Sequence, residues 1–178
     1  MFKEAYEYIL DNARSSLNTI DLQNVRDAVK MIKSAKQIFV YGSGRSGLVG
    51  KFFAMRLVQL GLVAYFIGET VTPVVNSEDL VILISNTGRT KSTVLVESIA
   101  KRIGAKIIAI TSSRDTPLAK HANLVFTIKP KNGRVELAPL GTLFEISAVI
   151  FLDAFIAELM KELNQTEEDM RRRHAIWV

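Results

Sequence analysis

The sequence predicts an α/β protein: a three-layer α/β/α sandwich around a five-stranded parallel sheet, of flavodoxin-like or Rossmann-like topology. Three observations carry this. Short β-branched runs alternate with longer segments of helical periodicity. The runs are continuously apolar, so both faces of each strand must be covered, as in a parallel sheet between helical layers. The chain has 178 residues, one domain at roughly 100–200 residues per domain, with no room for separate cofactor and substrate domains. With 48% apolar and 23% charged residues it has a globular balance, not that of a disordered chain.

Residues 1–35 form N-terminal helices, 36–163 the α/β core and 164–178 a C-terminal tail helix. Phe2, Ala5, Tyr6, Ile9, Leu10, Ala13 and Leu17 recur at helical spacing. Asp21 is placed to cap a second helix that uses Leu22, Val25, Ala28, Val29 and Ile32. Strands are expected at 37–41, 62–67, 79–84, 106–110 and 124–128, and helices at 46–60 and 91–103, the latter two closed by Gly61 and Gly104. Residues 129–141, with Pro130, Gly133, Pro139 and Gly141, form a loop of about 13 residues, beyond the usual 2–6 and so a candidate for function. The helix at 143–160 has only Glu145, Ser147, Asp153 and Glu158 as polar positions, scattered around its axis. A helix that is apolar all round is buried all round. A sheet covers one side of it, so the other is expected to meet a second subunit.

Ligands of such sheets bind at the carboxyl edge, near the reversal of strand order. The loop after the first strand is Gly42-Ser43-Gly44-Arg45-Ser46-Gly47. Its glycines allow close backbone approach, and the amides of the following helix attract an anion. It matches GxGxxG, and Glu69 follows the second strand where a dinucleotide fold places its ribose-binding acid. A dinucleotide, another phosphate ligand or a bare tight turn are all open on this loop alone. The loop after the third strand is Ser85-Asn86-Thr87-Gly88-Arg89-Thr90. Hydroxyls, a glycine and a second helix start make an anion cradle there, the alternative being Thr90 as a simple N-cap. A dehydrogenase has no ordinary need of this second loop and requires a substrate domain. A ligand with one terminal phosphate suits both loops better.

There are no cysteines and two histidines, His121 and His174. This excludes disulfides, thiolate chemistry and Cys-based zinc, and argues against a His-rich metal site. The net charge of +5 names no partner, and the longest basic run, Arg171-Arg172-Arg173, is far short of a nucleic-acid-binding arm. Acidic residues inside the first apolar pattern argue against a signal peptide, and no uncharged apolar stretch reaches the roughly 20 residues of a bilayer span. A cytoplasmic protein with neither nucleic-acid nor membrane partners is expected.

Taken in order, the two loops, Ala54-Met55-Arg56-Leu57, Gly68-Glu69-Thr70-Val71-Thr72-Pro73, Pro139-Leu140-Gly141-Thr142-Leu143-Phe144-Glu145 and Arg173-His174 resemble the SIS (sugar isomerase) domain family, and within it the 6-phospho-3-hexuloisomerases. The resemblance spans essentially the whole chain. The family's second loop is commonly Ser-Gly-Ser-Gly-x-Thr, and here Asn86 and Thr87 replace its first Gly and second Ser. It implies a five-stranded parallel sheet between helices, a homotetramer (a dimer of dimers with shared sites), and interconversion of D-arabino-hex-3-ulose 6-phosphate with D-fructose 6-phosphate. That reaction moves a proton between adjacent carbons through a cis-enediolate, and needs a base that becomes an acid and donors for an oxyanion, but no redox cofactor. A 3-ketohexose blocked at O6 cannot close a five- or six-membered hemiketal, so it reacts in open-chain form.

In these terms Glu145 is the candidate base. The competing reading is a capping box, Thr142-x-x-Glu145. His174 is the second catalytic candidate, on a tail able to reach a neighbouring site. Gly42, Ser43, Gly44, Arg45, Ser46, Ser85, Asn86, Thr87, Gly88 and Thr90 are candidates for holding the sugar phosphate. Glu69 and Thr72 are candidates for lining the sugar pocket, with Glu69 also able to hold Arg45. Arg89 reads equally as facing solvent, Arg171 to Arg173 read most simply as a solvated helix face, and His121 reads as a surface or packing residue. Two alternatives stay open: a sugar-phosphate-sensing module without catalysis, and an isomerase for another sugar phosphate such as a pentose 5-phosphate.

Overall fold

Helices α1 (Phe2–Leu17) and α2 (Leu22–Ser34) precede an alternating run of β1 (Ile38–Gly42), α3 (Gly44–Gln59), β2 (Ala64–Phe66), β3 (Leu80–Ile84), α4 (Lys91–Ile103), β4 (Lys106–Thr111), α5 (Pro117–Lys120) and β5 (Leu124–Thr127). The chain ends in α6 (Thr142–Glu162) and α7 (Glu167–Arg172). These elements come from a computed structural model that describes residues 1–131 and 133–174. All pairings in the five-stranded sheet are parallel, in the order β2-β1-β3-β4-β5. The strand order therefore reverses between β1 and β3, which places the ends of these two strands side by side at the carboxyl edge.

The alternation of strand side chains produces two cores. Ile38, Val40, Ile82, Ile84, Ile108, Ile110 and Phe126 face a layer built from α2, α3 and α6. Phe39, Val81, Leu83, Ile107, Ala109 and Val125 face Ala100 of α4 and Leu118 of α5. Every residue of β3 is buried, as expected of a strand covered on both sides.

The elements lie within a few residues of the expected ones. The second strand is shorter, and α3 begins at Gly44, inside the glycine loop. Asp21 caps α2 by accepting from the Gln23 amide at 2.8 Å. One short helix is additional, α5, capped by Thr116, and α7 opens on a capping box between Thr166 and Asp169. Of the expected tail helix only 167–172 is helical among the described residues, and 175–178 lie outside them. Much of the covering that α6 requires comes from within the chain, because α1 packs along it beside α3 and α2. A strip of α6 stays open, running through Ile146, Ile150, Ala154 and Ala157, with the two isoleucines 37% and 38% exposed.

The turn from β1 into α3 is tight. A Cβ on Gly42 would stand 2.6 Å from the Ser46 carbonyl oxygen, and one on Gly47 2.6 Å from the Gly42 oxygen. Strand end and first helical turn are pressed backbone to backbone. Gly44 has φ of +56° but open space around it. Gly42→Ala is therefore expected to cost about 3 kcal/mol, at the upper end of overpacking losses. Gly44→Ala is expected to cost about 1 kcal/mol, from left-handed backbone alone. Chemical denaturation of the two variants checks the ranking.

Candidate active site

The two anion loops meet at the strand reversal. Ser43 stands at the N-cap of α3 in extended conformation and forms no side-chain cap. The leading amides of α3, which no helical carbonyl can satisfy, point out at the carboxyl edge. Thr90 holds the same position on α4, again without a side-chain cap. Its hydroxyl turns to the Ser85 hydroxyl, 3.2 Å away, so the reading of Thr90 as a simple cap does not hold.

The second loop is rigidly tied down. The Gly88 amide donates to the Ser85 hydroxyl at 3.1 Å, and the Arg89 amide to the Thr87 hydroxyl at 3.2 Å. The Asn86 carbonyl accepts from the Ser112 amide and hydroxyl, at 3.0 and 2.7 Å. Gly88 is required twice over, by φ of +59° and by Thr116, whose hydroxyl oxygen would lie 2.5 Å from an added Cβ. Ser85 is 2% exposed, so its hydroxyl acts from beneath the loop.

Glu145 lies between the loops, in the first turn of α6. Its carboxylate does not form the capping box. The N-cap of α6 is Gly141 at φ of +81°, and the Thr142 hydroxyl donates to the Pro139 carbonyl instead. Glu145 points to the β1 loop, with Oε2 3.3 Å from Arg45 Nε and Oε1 accepting from the Ser46 hydroxyl at 3.5 Å. The Asn86 side-chain amide stands on the other side of the same space. A Cβ on Gly141 would lie 3.0 Å from Glu145 Oε2 and 3.4 Å from Asn86 Nδ2. Arg45, Ser46, Asn86 and Glu145 thus converge from three segments.

The Glu145 side chain is 11% exposed while that of Arg45 is 51% exposed. Burial pushes the Glu145 carboxyl above its ordinary range, opposed by the nearby Arg45 charge and by hydrogen bonding to the carboxylate. Its Oε2 is buried and has no hydrogen bond among the described residues, the Arg45 contact being an ion pair without hydrogen-bond geometry. A desolvated carboxylate with an open lone pair, beside a half-exposed cation, is suited to take up and return a proton.

Other expected residues are placed elsewhere. Glu69 does not hold Arg45. It pairs with Lys51 at 3.3 Å, a partner sequence reasoning missed although it lies on the same helix as Arg45. The Thr72 hydroxyl donates to the Phe66 and Glu69 carbonyls, which closes its own loop. Together they line a depression beside β2 and the outer face of α3, apart from the Arg45–Glu145 pair. His174 follows Arg173, whose guanidinium donates to the Gln59 carbonyl at the far end of α3. At about 1.5 Å per residue, the length of α3 puts the tail roughly 20 Å from Arg45 of the same chain. His121 packs with Nδ1 2.9 Å from the buried Glu97. Arg89 donates to the Asp115 carbonyl, and Arg171 and Arg172 pair along α7 with Glu167 and Glu168. Among the described residues no group of three or more His, Asp or Glu side chains is placed to hold a metal ion. No described helix is long and apolar enough to cross a membrane.

Comparison with known proteins bears on the family and the fold. The SIS domain family model matches residues 31–155. A 3-hexulose-6-phosphate isomerase of Methanocaldococcus jannaschii is 45% identical over 146 residues, 82% of this chain and 79% of that one. A 3-hexulose-6-phosphate isomerase of Bacillus subtilis is 36% identical over 173 residues, 94% of each chain. The solved structure of a Methanococcus jannaschii protein, from which a molecular function of 3-hexulose-6-phosphate isomerase was inferred, superposes with a TM-score of 0.90 at 39% identity, covering 98% of this chain and 99% of that one. The matching sheet, the two loops at the strand reversal and these relatives together establish that the chain belongs to the SIS domain family.

Proposed function

We propose that this protein is a sugar-phosphate isomerase that interconverts D-arabino-hex-3-ulose 6-phosphate and D-fructose 6-phosphate, with Glu145 as the base. The observation that carries the reading is the buried Glu145 carboxylate, turned away from its own helix cap and toward Arg45 and Ser46. The names of the relatives supply the substrate class.

The phosphate sits against the Ser85, Thr87 and Thr90 loop and the start of α4, where leading amides and the helix dipole favour an anion. The open-chain sugar then extends across the β1 loop toward α6. Glu145 removes the proton from C2, and the electron pair of that C–H bond forms the C2–C3 double bond while the C3 carbonyl electrons move to O3. The proton on O2 passes to O3, and protonated Glu145 returns a proton to C3 as the C2 carbonyl forms. Arg45 and the amides of α3 stabilise the charge that develops on the oxygens. The elevated pKa of Glu145 suits a group that must both accept and donate a proton. We propose no cofactor for this chemistry.

His174 lies too far along α3 to serve the site of its own chain, so any role for it is played in the site of a neighbouring copy. The open strip at Ile146 and Ile150, with Phe2, Tyr6 and Leu10 exposed on α1, supports assembly into the tetramer with shared sites.

Fructose 6-phosphate incubated with the protein in deuterated water tests the function. Without added cofactor, the expected result is deuterium on carbon, seen by NMR. Binding without exchange identifies a sensor, and exchange only with added nicotinamide defeats the reading. Arg45→Met removes the charge that lowers the Glu145 pKa, so that pKa rises further. The acidic limb of the kcat/KM profile then moves to higher pH, because more of the base is protonated at any given pH.

A further inference from the structure

The loop at residues 129–141 leads directly into Glu145, and the N-terminal helix grips it. The Tyr8 hydroxyl accepts from the Arg134 amide at 3.2 Å and donates to the Lys131 carbonyl at 3.4 Å. One turn earlier on the same face of α1, Glu4 pairs with the Arg134 guanidinium at 2.6 Å. The Arg134 carbonyl in turn accepts from the amides of Leu137 and Ala138, at 3.0 and 3.1 Å. These two residues are buried, 6% and 9% exposed. Next come Leu140 at φ of +50° and Gly141 at +81°. A left-handed leucine is uncommon and persists only where its surroundings hold it, yet Leu140 is 90% exposed and has little packing of its own. Its conformation is imposed from the two sides, by the Arg134 turn before it and by α6 after it. A small cavity of about 140 Å³ is lined by Tyr8 and Arg134 together with Asn86 and Gly141.

We infer that Tyr8 is a positioning residue for the isomerisation: its hydroxyl fixes the Arg134 turn, the turn fixes the Leu140–Gly141 kink, and the kink sets the depth at which Glu145 enters the site. This rests on the reading of Glu145 as the base. The physical link is continuous, running from α1 through backbone hydrogen bonds to the first turn of α6. Loosening it admits water to the carboxylate, whose charged form burial now disfavours. Among the described residues the charged group paired with Glu145 is Arg45 on α3, while Ser46 and Asn86 beside it are neutral.

Tyr8→Phe keeps the ring and removes the grip. In the full-length enzyme it is expected to lower kcat about tenfold, the scale of a sub-ångström misplacement, with little change in KM. The acidic limb of its pH profile is expected to move to lower pH, as the solvated carboxyl returns toward its ordinary range. An NMR titration of carbon-labelled Glu145, read without substrate, shows the same downward shift. Glu4→Gln loosens the same turn from an exposed position, and its titration is expected to move in the same direction even if Tyr8→Phe folds poorly. A Glu145 titration unmoved in these variants, or activity that falls only in proportion to folded protein, overturns the proposal. A wild-type enzyme that catalyses no exchange overturns the functional reading instead and leaves the titration result to be judged by itself.

Discussion

The apolar packing of α6 is the constraint on which the site depends. Phe144, Ala148, Phe151, Leu152, Phe155, Ile156 and Leu159 are all buried against the sheet, α3 and the N-terminal helices. At about 25 cal/mol per Å² of apolar surface removed from water, a helix of this composition has few alternative ways to dock. Its rotation against the sheet is therefore set by hydrophobic burial, and the loop that leads into it trims the depth of its first turn. Glu145 is held in a place that a carboxylate would not choose. The packing absorbs the cost of its desolvation, and the cost reappears as an elevated pKa.

The positive potential of the site is local. A net charge of +5 spread over the chain says little about a ligand. Many charged side chains among the described residues pair along their own helices or across the surface, such as Lys3 with Glu7 and Lys30 with Asp27, and exposed pairs of this kind contribute little. At the strand reversal the pattern differs. Two uncapped helix starts, a buried serine and one half-exposed arginine face the same space. Uncapped helix starts of this kind attract an anion.

Much of this was legible in the sequence because it rests on short-range rules. The continuous apolar runs marked the strands, and the glycines at 42, 44, 47 and 88 marked turns with close backbone approach or positive φ. Glu145 was legible as a candidate only together with a competing capping box, since Thr142-x-x-Glu145 satisfies both readings. Three-dimensional context decided between them: Gly141 takes the N-cap, and Arg45 draws the carboxylate the other way. What was not legible depends on contacts distant in sequence. Covering of α6 by α1 cannot be read from the helix itself, whose apolar composition points equally to a second subunit. Which basic residue Glu69 meets is not legible either, because charge alone does not distinguish Arg45 from Lys51. The grip of Tyr8 and Glu4 on Arg134 spans most of the chain and leaves no local signature beyond their spacing of one helical turn.

The central claim is that the buried carboxylate of Glu145 moves the proton. It is tested most directly by Glu145→Gln, an isostere that keeps the packing and can still accept from Ser46. Deuterium exchange into fructose 6-phosphate is followed beside a direct measurement of sugar-phosphate binding. The account predicts that binding is retained while exchange falls by a factor on the order of a thousand, within the range contributed by a positioned base. Exchange within a few fold of the wild-type rate, with binding intact, would contradict it and return Glu145 to a structural role.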